Sequence, residues 1–213
     1  MTSPTPPTRP TLQALRAGDD PGSWRAAGFT VSADGACTIG AVTVEVAPEG
    51  GGSGIRSWSL RALGATTEVD GLACTAAPAR GSPPAPATHA NGSLAIDHVV
   101  VATPDVGRTV GALEAIGLEL RRTCDSEGHG RPLRQAFFRL GEPVLEVVGP
   151  PEPAGNGPAS FFGLALTVVD LDATAALLGP SLGRIKDAVQ PGRRIATLRS
   201  AARVRTALAF MSA

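Results

Sequence analysis

The chain has 213 residues, 43% of them hydrophobic and 18% charged, an ordinary balance for one or two domains with packed cores. Its formal net charge is zero, so no overall field draws it to nucleic acid or to an anionic membrane surface. No apolar run approaches the roughly 20 residues that a membrane-spanning helix needs.

The first ten residues, MTSPTPPTRP, are polar and proline-rich and predict a disordered tail rather than a signal peptide. The next region, 11–76, carries SWRAAGFTV, TIGAVTVEVAP, a glycine-rich turn at 50–54 and GIRSWSLRAL. Trp24 and Trp58 are expected in the core. Residues 77–93, rich in Pro, Ala, Gly and Ser, predict a linker.

The region 94–213 opens with LAIDHVVVATPD, whose β-branched run predicts a buried strand. Asp105 stands at a helix N-cap position, and Val106, Val110 and Leu113 follow on one helical face. Gly117 is placed to stop that helix. LELRRT, RQAFFRL and PVLEVV then predict three strands, giving β-α-β-β-β. The order recurs after residue 160. GLALTVVD ends in Asp170, Leu171, Ala175 and Leu178 repeat the helical face, and GRIKDAV, RRIATLR and RTALAFM predict three further strands. Asp105 and Asp170 differ by 65 residues, as do the three apolar helix positions, which marks an internal repeat with units at 94–150 and 161–213. The first region reads as a worn copy of the same plan. Trp24, Gly28 and Phe29 resemble Leu113, Gly117 and Leu118, and Gly40 and Glu45 align with Gly141 and Glu146 at an offset of 101. A helix is missing between Leu63 and Val69.

Two polar residues lie inside apolar strands. Strict alternation puts His98 on one face with Ile96 and Val100, leaving Asp97 on the other. Glu146 shares its face with Val144 and Val148. A carboxylate among apolar neighbours is costly unless paired, hydrogen-bonded or bound to a cation, and His98 is the obvious candidate partner. The pair admits three readings: a hydrogen-bonded core remnant, a metal-free site in which Glu146 acts as base and His98 orients a ligand, or part of a metal site completed by Glu45 or by another subunit.

IDHVVVATPD, EAIGLEL and GEPVLEVVGP resemble a module of the vicinal oxygen chelate, or glyoxalase-like, superfamily. The resemblance covers about 94–213 and, more faintly, 11–76. It implies an α+β fold of tandem βαβββ modules, the second pair intact and the first truncated, whose sheets curl into a cleft. It further implies metal ligands on the first and last strands of each module, at the places of His98 and Glu146. The corresponding places in the second module fall on Gly163 and Ala209, which bear no ligand. The expected function is a cytoplasmic, monomeric or homodimeric glyoxalase-like protein that binds a small organic molecule, with no cofactor. The alternatives are a lyase, isomerase or dioxygenase using zinc, nickel, manganese or iron, and a non-catalytic structural or regulatory module. Phe138, Phe162, Phe210 and His129 are candidate pocket residues. The arginine-rich run from Arg184 to Arg205 is expected to be a solvated face.

Overall fold

The computed structural model describes residues 9–48, 54–63, 65–76, 87–128 and 130–213. Most of the amino-terminal tail, the glycine-rich turn except Gly54, the first part of the proposed linker, and His129 lie outside the described residues.

Two mixed sheets carry the fold. The first is built from β1 (Thr11–Ala17), β2 (Ala36–Ile39), β3 (Val42–Val46), β4 (Ile55–Arg61), β5 (Glu68–Val69) and β6 (Leu72–Ala76), with α1 (Pro21–Ala26) between β1 and β2. Its order is β2-β3-β1-β4-β6-β5. The second contains β7 (Ser93–Ala102), α2 (Val106–Ala115), β8 (Leu120–Gly128), β9 (Arg131–Arg139) and β10 (Val144–Gly149). It continues with β11 (Ser160–Val168), α3 (Leu171–Leu178), β12 (Lys186–Asp187), β13 (Arg194–Thr197) and β14 (Ala207–Ser212).

The strand order of the second sheet is β12-β13-β14-β11-β7-β10-β9-β8. Each half is thus one βαβββ unit whose first and last strands pair in parallel, and the two first strands, β7 and β11, meet antiparallel at the centre. The first sheet repeats this logic with one strand fewer per unit: β1 pairs parallel with β3, β4 with β6, and β1 antiparallel with β4. No helix stands between β4 and β5 among the described residues, as the short stretch between Leu63 and Val69 implies.

The repeat is visible in local chemistry. Asp105 accepts from the Arg108 amide at 2.9 Å, and Asp170 from the Asp172 and Ala173 amides at 2.8 and 3.0 Å, so each helix starts on an aspartate cap. Gly28 and Gly117 take φ of +82° and +89° just beyond α1 and α2. The following amides, of Phe29 and Leu118, return to the carbonyls of Trp24 and Leu113 at 3.1 and 3.2 Å. Thr109 and Thr174, again 65 apart, are both buried. Thr109 Oγ1 lies 2.5 Å from Asp70 Oδ2, and Thr174 Oγ1 2.8 Å from the Asn91 carbonyl, tying each helix to chain that precedes the second sheet.

The residues read as a linker are packed where they are described. His89 is buried, its Nδ1 accepting from the Thr30 amide at 3.0 Å and its Nε2 facing the Thr38 carbonyl at 2.8 Å. Asn91 Nδ2 donates to the Ala27 carbonyl at 2.9 Å. Composition suggested a spacer, but two side chains that satisfy buried backbone groups hold this stretch in place. The unit at 161–213 is thinner than its pattern predicted, since GRIKDAV contributes only the two residues of β12.

One apolar core joins both sheets on the face that also carries the helices. Val99, Val101, Leu145, Val147, Phe138 and Phe210 point into it from the second sheet. Phe29 stacks on Phe210 with ring centroids 6.2 Å apart, and Trp58 meets Phe161 edge-on at 5.4 Å. The other face of the second sheet is left open, and there the cleft lies.

Candidate active site

A cleft of about 450 Å³ occupies that open face. Strands from both units line it, including His98, Val100, Arg122, Cys124, Gln135, Phe137, Glu146, Gly163, Ala165, Ala209 and Met211. Lys186, Val189 and Phe162 border it as well. No helix among the described residues is long and apolar enough to cross a membrane.

His98 enters the cleft through an irregularity in β7. The pairing with β11 passes from His98↔Ala165 to Ile96↔Leu166, so β7 spends two residues where β11 spends one. Asp97 is the extra residue of a β-bulge, which brings two successive side chains to one side. Strict alternation therefore fails here: Asp97 joins His98, while Ile96 turns into the core with Val99 and Val101. His98 Nδ1 lies 2.5 Å from Asp97 Oδ2. Asp97 Oδ1 accepts from Arg193 Nη1 at 2.9 Å and from Thr167 Oγ1 at 3.1 Å. Burial by itself raises the Asp97 carboxyl, but the hydrogen bonds and charges of His98 and Arg193 outweigh it and hold the group well below the usual carboxylate range.

Glu146 also lines the cleft, but its partner is Gln135, whose Nε2 donates to Oε1 at 2.5 Å. The expected His98–Glu146 pair does not form. His98 is in register with Val144, and Glu146 with Val100, so the two are one strand and two residues apart. Each finds a nearer group first. Glu45 stands apart in the first sheet, 3.7 Å from Arg16, and lines a different, smaller cavity.

The register confirms which positions of the second unit correspond. His98 pairs with Val144, two residues before Glu146, and Gly163 pairs with Ala207, two residues before Ala209. Gly163 and Ala209 both line the cleft. A Cβ on Gly163 would sit 2.2 Å from the Ala207 carbonyl oxygen, so the backbone admits no side chain there. Among the described residues, no three of His, Cys, Asp or Glu converge as metal ligands do.

Of the candidate pocket phenylalanines, Phe162 is at the cleft and 63% exposed. Phe138 and Phe210 are fully buried in the core on the opposite face. The cleft takes Phe137 instead, because Ala136 and Phe138 alternate inward while Gln135 and Phe137 alternate outward. The doublet Phe137-Phe138 offers no way to choose between them until the register with Glu146 is known. Arg122 was also missed: its guanidinium lies 4.6 Å from the Phe137 ring centroid. Arg193 was assigned to a solvated face and is instead half-buried against Asp97.

No family model matches the chain, and no curated protein matches it. Solved structures do. A fusion of a xylose isomerase-like TIM barrel with 4-hydroxyphenylpyruvate dioxygenase aligns over 98% of this chain and 50% of its own, at 14% identity and TM-score 0.64. The chain thus spans about half the length of that fusion protein. A triple mutant of 4-hydroxymandelate synthase from Streptomyces coelicolor aligns over 96% of this chain and 92% of its own, at 14% identity and TM-score 0.64. Methylmalonyl-CoA epimerase from Mycobacterium tuberculosis aligns over 57% of this chain and 89% of its own, at 16% identity and TM-score 0.46. The paired βαβββ topology and the full-length alignments establish that this chain has the vicinal oxygen chelate, glyoxalase-like fold.

Proposed function

We propose that the cleft binds a small organic molecule, and does so without a complete catalytic metal site. The observation that carries this reading is the asymmetry of the cleft: His98 and Glu146 come from one unit, while the matching places of the other are Gly163 and Ala209. A volume of about 450 Å³ suits a small ligand. Val100, Phe137, Ile195 and Met211 offer it apolar contact. His98, Glu146 and Arg122 are among the polar groups of its lining, and they would fix its orientation. One imidazole and one carboxylate, with water in the remaining positions, hold a divalent ion weakly.

The competing reading is a metal-dependent lyase, isomerase or dioxygenase, and it draws on one fact, that His98 and Glu146 reach the same cleft. Elemental analysis of protein purified without chelator separates the two. The proposal expects no stoichiometric metal, together with a small molecule whose stabilising thermal shift is unchanged by chelator. Near-stoichiometric zinc, nickel, manganese or iron that disappears in both His98→Ala and Glu146→Ala would establish the metalloenzyme instead. Ligand binding indifferent to both substitutions would reduce the pair to a structural role.

A further inference from the structure

We infer that Asp97, clamped by Arg193, is a positioning residue that fixes the proton of His98 on Nδ1 and presents Nε2 to the cleft as a base. The ligand would then be one that offers an acidic O–H or N–H group. This rests on the reading of the cleft as a binding site and names the chemistry it selects.

The bulge at Asp97 creates the contact. Without the extra residue, Asp97 would face away from His98; with it, the carboxylate lies 2.5 Å from Nδ1. An ionised carboxylate only accepts, so the ring nitrogen facing it must carry a hydrogen. Asp97 is ionised because Arg193 and Thr167 both donate to its other oxygen. Arg193 is itself fixed, with Nε on the Ser212 carbonyl at 2.7 Å and Nη2 on Thr167 Oγ1 at 3.1 Å. Among the described residues Nε2 has no protein partner, and His98 lines the cleft. A proton leaving a ligand's O–H passes to Nε2, giving an imidazolium whose Nδ1–H remains on the Asp97 carboxylate, and leaving the ligand as its anion.

Asp97 and His98 belong to the first unit, whereas Thr167, Arg193 and Ser212 belong to the second. The unit that offers no side-chain ligand at Gly163 or Ala209 contributes to the site through the groups behind His98.

The test is nitrogen-15 NMR of the His98 ring on the full ligand-free chain, so that the outcome does not depend on finding a ligand. The neutral wild-type ring is expected to show a protonated Nδ1 and a bare Nε2. In D97N the side-chain oxygen must stay with Arg193, which can only donate, so the amide NH₂ turns to Nδ1. The proton of the neutral ring then moves to Nε2. A wild-type ring protonated on Nε2, or a D97N ring with its proton still on Nδ1, overturns the inference. Should D97N fail to fold, the wild-type spectrum alone decides.

The ligand chemistry is read with 4-nitrophenol, whose absorbance reports loss of its proton. Wild type is expected to shift bound 4-nitrophenol toward its anion, and D97N to bind it roughly tenfold more weakly, as loss of one charge-assisted hydrogen bond implies. A correct wild-type tautomer with no perturbation of the phenol would leave the positioning in place and sink the ligand class.

Discussion

Gly163 stands in β11 where His98 stands in β7, each in register with the residue two before the last-strand position that completes its unit. The equivalence is one of backbone, and the backbone has closed around the glycine: a Cβ there meets the Ala207 carbonyl oxygen at 2.2 Å and the Ala207 Cβ at 2.8 Å. Gly163→Ala is therefore expected to destabilise the fold by about 1–3 kcal/mol, the usual range for overpacking, measured as a lower urea midpoint. A neutral Gly163→Ala would show that β11 and β14 can separate there.

Ala209 is the permissive half of the same comparison, because its side chain already lines the cleft. Ala209→Glu would add a third donor to His98 and Glu146. Zinc affinity, measured by calorimetry, is expected to rise at least tenfold in this variant and to fall back when His98→Ala is added. A folded Ala209→Glu protein with unchanged zinc affinity would show that the two units do not converge on one point.

Glu146 receives its hydrogen bond from Gln135, and a glutamine oxygen accepts from that amide as a carboxylate oxygen does. Glu146→Gln should accordingly leave the unfolding free energy within about 1 kcal/mol of wild type, while removing the negative charge from the cleft. Glu146→Leu, by contrast, strands the Gln135 amide beside an apolar group and should be the more damaging of the two. If Glu146→Gln unfolds the protein, the carboxylate is structural.

The repeat was legible in the sequence because it is written in caps and glycines: Asp105 and Asp170 at fixed offset, and Gly28 and Gly117 at the left-handed turns that only glycine enters easily. The position of His98 and Glu146 on one open face was legible for the same reason that strands alternate. What alternation could not give was the bulge at Asp97, since one extra residue leaves no mark in an apolar run and reverses every face before it. The sequence consequently pairs His98 with the wrong partner, and Arg193, 96 residues beyond Asp97, has no visible reason to approach that carboxylate. His89 and Asn91 were hidden differently, because two anchoring side chains do not alter the composition of a linker-like segment.

Phe162 and Phe210 were equal candidates for the pocket, and the structure separates them sharply. Phe210 is fully buried and stacked on Phe29, so Phe210→Ala is expected to cost about 3–5 kcal/mol. Phe162 is 63% exposed beside the cleft, so Phe162→Ala should change stability by less than about 0.5 kcal/mol while weakening any apolar ligand. Chemical denaturation of the two variants side by side measures the difference. Equal losses would mean that β11 and β14 present the wrong faces.

Asp97 gives the fold a specific response to acid. Its folded-state pKa is depressed, since the hydrogen bonds from His98 and Arg193 outweigh burial, while in the unfolded chain it titrates near the ordinary value of about 3.9. A depressed carboxylate contributes stability that is complete above the unfolded value and is lost as pH falls toward the folded one. Wild type should thus lose stability below about pH 4 more steeply than D97N, whose amide does not titrate. The measurement is the unfolding free energy of both proteins across that window. Other carboxylates, including Asp125 on Arg134 and Asp172 on Arg194, titrate in both proteins and cancel in the comparison. Parallel acid profiles for the two would mean that Asp97 is not ionised against Arg193 and His98 in the folded state.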